Sequence, residues 1–558
     1  MTSVSSSTST TAAAAGYSAL TSTGSGTGLD YSALIEAKVA ARLTRADKLD
    51  VKIETNEAKA AAYENLQSLL QTLASGIDGL RNRTASTGAS SNLFSEMTAY
   101  LSNDDALAVT ADEDAEAGTY SVVVQQLATK HKIGGSETAS RTDALGLSGS
   151  FSLSAGDGTA TAIAIDSDDS LVDIKDAINE QTAATGVAAS IIQVSEGGYK
   201  LILTSSDTGE EISLTDGGDG VSQSLGLLDA SGNIADELTA AQNAVITVDG
   251  VEITRSSNVI DDAIDGLMFN LYEADAGETI SVEIATDLAQ IKSAITDFVD
   301  SYNAYRDFVL TQQTLTDDGA VSEDSALFSD TLLKTINTQV YQALNATVDY
   351  DGEKLSIANL LGVTFEDDNT LSVDEDTLNS ALTDNLDKVK ALLGLTMTAS
   401  SSQLSLLRYN TQADSLSFKL DIDVAADGTL NSASVGGDAS LFTVSGNRII
   451  GAEGSMYAGL VLVYTGSSGS VDVDLRQGVM DQLYATLDAA ADSTDSDLAD
   501  ALSDIDASNY TLETRANNIK EQAESYRSRL TSYYARLEAA AETANLLLQQ
   551  LNYSDDDE

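Results

Sequence analysis

LETRANNIKEQAESYRSRLTSYYARLEAAAETANLLLQQL, residues 512–551, is the stretch on which the architecture turns. Ala516, Ala523, Leu530, Leu537, Ala544 and Leu551 recur every seven residues, and Leu512, Ile519, Tyr526, Tyr533, Ala540 and Leu547 form a second row beside them. This 4-3 spacing keeps one seam of an α-helix apolar along its length, which is the coiled-coil pattern. Near the other end, Leu49, Ile53, Ala60, Tyr63, Leu70, Leu73, Ile77 and Leu80 follow the same rhythm. Two long apolar-striped helices can pack on each other and leave the middle of the chain as a separate head.

Composition narrows the function. The chain has 558 residues, enough for three or four domains, and 42% of them are apolar, enough for packed cores. It has no Pro, where average usage would give about 28. Long helices and strands can therefore run without kinks. It also lacks Cys and Trp and has one His, His131. Disulfides and Cys-based metal sites are excluded, and a Ser-His-Asp triad or multi-His centre is hard to build. No cofactor and no enzymatic activity are expected.

Formal net charge is −58. Residues 35–83 carry eight basic and seven acidic side chains, a net of +1, and residues 512–551 carry five of each. The striped ends are balanced, as a bundle with surface i,i+4 pairs should be. The remainder is strongly acidic, which disfavours nucleic acid and anionic membranes as partners. Residues 1–37 contain no Lys or Arg, and their SVSSSTSTTAAAA run has neither the basic region nor the apolar core of a Sec signal. No window is apolar enough for a membrane helix.

Along the chain, residues 1–28 read as a disordered polar leader and residues 29–85 as the N-terminal stem helices. A β texture follows. Val245-Ile-Thr-Val-Asp249-Gly250-Val-Glu-Ile-Thr254 is the clearest hairpin, its Asp-Gly supplying the positive φ angles of a type I′ turn. Gly197-Gly198 reads as a turn between two further strands, and Leu171, Ile174 and Ile178 as a helix. Helix returns at Ile291, Ile295, Phe298, Tyr302, Tyr305 and Val309, and again around Phe328 to Leu344. The expected division is a β head domain at 86–130 and 241–285, an outer β head domain at 131–240, a helical stem domain at 286–400, a β-rich insertion at 401–476, and C-terminal helices with the coiled coil at 477–558. The fold class is α+β and multidomain, with a discontinuous α-helical coiled-coil stem formed by both chain ends and antiparallel β-rich heads.

Several blocks resemble the flagellar filament cap family, also called hook-associated protein 2. Gly28-Leu29-Asp30-Tyr31-Ser32-Ala33-Leu34-Ile35 is similar to the family's opening motif. Arg255-Ser-Ser-Asn258 and Gly266-Leu267 after the Asp-Gly hairpin, Asp297-Phe298-Val299 with Tyr302-Asn303, Leu371-Ser-Val-Asp374 through Gly394, and Leu546-Leu-Leu-Gln-Gln550-Leu551-Asn552 resemble later family blocks, in the family's order. Gly186 to Leu203 resembles a β motif shared by hook-associated proteins and flagellins. Residues 400–475 match least.

The resemblance implies an exported homo-oligomeric ring, a pentamer or similar, at the distal tip of the bacterial flagellum. There it would retain flagellin and promote its folding and polymerisation. Implied partners are flagellin, hook–filament junction proteins, the flagellar type III export apparatus and a cytoplasmic export chaperone. Two alternatives are an exported surface adhesin and a junction protein.

The seam itself has two readings: bundle core, or contact with flagellin or junction helices at residues 29–48 and 540–552. Leu29, Leu34, Ile35, Leu547 and Leu551 are the candidate partner-binding residues, because the N-terminal stripe ends at about Leu49 while Leu547 and Leu551 run on. Tyr526, Tyr533 and Tyr534 are expected to pack in the bundle. His131 is expected at a surface near a β edge. The Asp runs at 166–169 and 366–368 lack the spacing of an EF-hand and read as solvated turns.

Overall fold

A computed structural model describes residues 31–83, 87, 89, 91–411, 413 and 415–555. The chain divides into two compact units, Met1–Ser91 with Lys292–Glu558, and Asn92–Ile291.

The first unit is built on two long helices, Tyr31–Ile77 and Asp497–Asp555. They run antiparallel, since contacts rise in number on one helix as they fall on the other. Tyr31 stacks on Tyr534, Arg42 lies over the Tyr526 ring at 3.9 Å, Asp50 pairs with Lys520 at 2.9 Å, and Asn56 bonds Asn509 at 2.8 Å. Ile35, Val39 and Ala523 form the seam's buried centre, with Leu43, Tyr526, Leu530 and Tyr534 packed round it. The N-terminal stripe therefore does not end at Leu49. It continues through Ala46, Val39 and Ile35, because Ala at one position and a β-branched residue at the next still present an apolar face. Towards its other end Leu66, Leu70, Leu73 and Ile77 are fully buried, each worth about 1.5–3 kcal/mol on burial.

Residues 286–400 are not helical throughout. Two short hairpins interrupt them, Val348–Tyr350 with Glu353–Leu355, and Val363–Phe365 with Leu371–Val373. The first turns at Asp351-Gly352, with φ of 50° and 82°, the Asp-Gly chemistry that sets a tight hairpin wherever it falls.

From Thr396 to Arg476 two four-stranded antiparallel sheets face each other over a shared core that includes Phe418, Phe442, Tyr457 and Leu462. The first and last strands pair, Thr396 opposite Arg476. The sandwich meets the helices at a tight neck. A Cβ on Gly478 would lie 2.3 Å from the Leu393 carbonyl carbon, and one on Gly394 would lie 2.7 Å from that of Arg81.

The Asn92–Ile291 unit holds two cores. A five-stranded sheet runs in the order Met97–Leu101, Ile280–Thr286, Gly118–Gln126, Ala244–Val248, Val251–Arg255. With the three strands Val259–Ile264, Leu267–Leu271 and Leu107–Ala111 it encloses Val122, Ile246, Phe269 and Val282. Asp249 and Gly250 turn its outer hairpin with φ of 51° and 81°, as the sequence predicts. The second core lies among the sheets Glu237–Thr239, Lys130–Gly134, Gly198–Thr208, Val187–Ser195 and Thr161–Ile165, Gly149–Ala155, Ile212–Asp216. Helix Leu171–Glu180 packs there, closed at its start by the Ser170–Asp173 capping box. The Asp runs at 166–169 and 366–368 are largely exposed turns.

His131 contradicts its expectation. It is fully buried, because it sits on the inward face of its strand and its Nδ1 accepts the Ile212 N–H at 2.8 Å. A neutral imidazole with a bonded nitrogen is as much a core residue as a surface one.

Candidate functional site

Of the expected partner-binding residues, Leu34, Ile35 and Leu547 fall at one end of the helix pair. Leu29 lies outside the described residues, as does the Leu551 side chain. Leu34 is 41% exposed, while Ile35, one residue on, is 8% exposed and packs within the seam. Leu547 is 55% exposed. Leu546 and Leu548 beside it are equally open, and the heptad reading did not single them out. Three successive leucines step about 100° each round a helix, so this end is apolar on more than one face.

The seam leaves the predicted row after Leu530. Tyr533 is exposed and Tyr534 takes its place against Tyr31, with ring centroids 4.7 Å apart. A straight α-helix drifts about 20° per heptad from a strict seven-residue repeat. Three heptads beyond Leu512, the buried line has moved one residue along. Leu537, Ala540 and Ala544, beyond that contact, are exposed. Charges along the pair are locally matched: Arg527 bonds Glu36 and Glu524, at 2.7 and 3.0 Å.

Two polar clusters brace the unit. Asp330 caps helix Thr331–Leu344, accepting the Leu333 N–H at 3.0 Å. Its other oxygen takes Lys59 Nζ at 2.8 Å and the Tyr63 hydroxyl at 2.9 Å. Burial pushes this carboxyl up, but the bonds from Lys59, Leu333 and Tyr63 outweigh it and hold it below the ordinary range.

At the neck, buried Asp481 accepts Arg81 Nε at 3.1 Å and Arg83 Nη2 at 2.5 Å. Arg83 Nη1 continues to the carbonyls of Thr87 and Tyr409, the latter in the sandwich, at 2.8 and 2.7 Å. Arg81 also pairs with Asp78 and lies on the Tyr484 ring. Two guanidiniums and two carboxylates make the cluster neutral, the condition under which such charges tolerate burial. Among the described residues no group of His, Asp and Glu is arranged to hold a metal ion, and no helix is long and apolar enough to cross a membrane.

Residues 241–546 match the family described as flagellar hook-associated protein 2 C-terminus, and residues 27–131 match its N-terminal counterpart. The chain belongs to the flagellar hook-associated protein 2 family. Residues 150–207 match the flagellin hook IN motif, in the region whose β motif resembled hook-associated proteins and flagellins. The flagellar hook-associated protein 2 of Escherichia coli K12 is 34% identical over 409 residues, covering 70% of this chain and 84% of that protein. The B-type protein of Pseudomonas aeruginosa PAO1 is 33% identical over 330 residues, covering 55% and 68%. Among solved structures, the D1-D2-D3 domains of the E. coli flagellar cap protein FliD match at 31% identity with a TM-score of 0.42, covering 60% of this chain and 90% of that one. Family membership makes this a structural protein of the flagellum, the filament cap at its tip. The adhesin and junction-protein alternatives find no support in these matches.

Proposed function

We propose that copies of this chain form a closed ring, a pentamer or similar, on the growing end of the flagellar filament. There the ring retains exported flagellin and promotes its folding and polymerisation. Residues 86–130 with 241–285, and 131–240, make the heads of the ring. Residues 29–85, 286–400 and 477–558 make a helical stem in which the terminal helices act as a coiled coil. Leu34, Leu547 and Leu551, with Leu29 ahead of the described residues, form the contact with flagellin or the junction proteins below; Ile35 backs that contact from within the seam. Export by the flagellar type III apparatus with a cytoplasmic chaperone belongs to the same reading. No step in it needs a catalytic residue or a cofactor.

The observation that carries the partner contact is the run Leu546, Leu547, Leu548, all more than half exposed beyond the Tyr31–Tyr534 contact. A long apolar helix end favours a covering partner. Residues 512–551 carry no net charge, so this surface does not repel an incoming helix as the acidic heads would. The test is a deletion strain. The expected result is hooks with few or no filaments and flagellin monomer in the medium; normal filaments would overturn the reading.

A further inference from the structure

His131 is the chain's sole histidine, and it joins two sheets of the Asn92–Ile291 unit. It lies in strand Lys130–Gly134, at a break in pairing with Gly198–Thr208. Lys130 stands opposite Thr208, but Lys132 stands opposite Thr204. Within the break the His131 N–H donates to the Ser205 hydroxyl at 3.0 Å, and that hydroxyl donates to the Asp207 carbonyl at 2.7 Å. The imidazole then reaches the neighbouring sheet, where Nδ1 accepts the Ile212 N–H at 2.8 Å. A nitrogen that accepts carries no proton, so the ring is neutral with its proton on Nε2. Nε2 is buried, 3.3 Å from Glu237 Oε1 and without a well-formed hydrogen bond.

We propose that His131 is a pH-sensitive latch: it ties the two sheets together while neutral and releases the Ile212 strand when it gains a second proton. Protonated Nδ1 would set N–H against N–H. The Ile212 amide would lose its partner and a charge would sit in a dry core. Glu237 faces Nε2, which bears a proton in both states, so it favours the cation without restoring the lost bond. The other charged groups near the ring are disposed as follows. Lys130 and Lys132 flank it in its own strand, both exposed, and Asp207 is exposed on the partner strand. Glu210 and Glu211 precede Ile212. Asp216 ends that strand with its carboxylate bonded to Gly218, Gly220 and Ser222. Protonation at Nδ1 removes the acceptor that holds the Ile212 N–H, so closure weakens as pH falls.

The test is amide hydrogen exchange at Ile212 in the full chain between pH 7.5 and 5.5, corrected for intrinsic exchange. Imidazoles change charge in this range and ordinary carboxylates do not. Protection should fall with pH, by up to about tenfold per unit once the ring titrates. In His131→Asn the amide oxygen takes the place of Nδ1 and cannot be protonated, so protection should stay flat. Loss of protection in His131→Asn over the same range would overturn the latch. So would a wild-type imidazole resonance, unambiguous with one His, that titrates while Ile212 stays protected. Glu237→Gln guards against a variant that fails to fold: it should move the wild-type opening to lower pH, and an unmoved midpoint counts against the proposal.

Discussion

Tyr31 lies nearly parallel to Tyr534, their planes 17° apart and their centroids separated by 4.7 Å. This contact marks how far the described N-terminal helix accompanies its partner. From Tyr534 the C-terminal helix runs on to Asp555, and there Leu537, Leu546, Leu547 and Leu548 are exposed. The contact lies where the described part of the N-terminal helix begins.

Removing residues 540–558 should leave the melting temperature within about 2 °C of the parent, since Leu546, Leu547 and Leu548 are exposed and exposed side chains contribute little, while motility is lost. Circular dichroism of the purified truncation and swarming of cells that carry it give the two readouts. Unchanged motility would remove Leu547 and Leu551 from the functional site.

Asp481→Ala leaves Arg81 and Arg83 without their shared carboxylate in a buried neck. The expected loss is about 3–5 kcal/mol in urea unfolding, because an uncompensated buried charge remains. Glu353→Ala, which removes an exposed pair with Lys388, should cost no more than about 1 kcal/mol. Equal effects from the two would mean that the neck is not the dry junction described.

Asp330→Asn keeps an N-cap acceptor but loses the charge that Lys59 and Tyr63 meet. The Asp330 carboxyl is held low in the folded state. Its ionic contribution is therefore present above the unfolded value, near 3.8, and is lost as pH falls through the lower folded value. The stability gap between parent and variant should be full at pH 7 and should close under acid. A gap that persists below pH 2 would assign the effect to packing.

Self-association should depend on salt. A net charge of −58 opposes head contacts at about 0.01 M salt, where screening reaches only beyond about 30 Å, and much less at about 1 M, where it acts within about 3 Å. Light scattering should show monomer giving way to one closed species as salt rises. A monomer under all conditions would count against the ring.

Much of this architecture is legible in the sequence, and the gaps have physical causes. Ala516, Ala523 and Tyr526 lie in the seam where the heptad count puts them. Tyr533 does not, because seven residues are not two full turns and the error accumulates. The Asp249-Gly250 hairpin is local chemistry and reads directly. The meeting of Arg81 and Arg83 with Asp481 spans some 400 residues, and no local pattern announces it. His131 is buried against a surface expectation because alternation tells which face a residue takes only when the neighbouring sheet is known. The open leucines at 546 and 548 fall outside both heptad rows, and their signal is the bare hydrophobic run itself.

The strand pairing of Thr396 with Arg476 means that the sandwich leaves the helical unit and returns to it at one point. Its two ends are neighbours, so cutting it out would leave a gap that a very short bridge could close, at small loop-closure cost. Lengthening its outer loops would not disturb the path of the helices either, provided the Tyr409 carbonyl that Arg83 meets is kept. The chain can thus change the outline it presents to its surroundings by evolution at a single graft point, while the path of the helices stays the same.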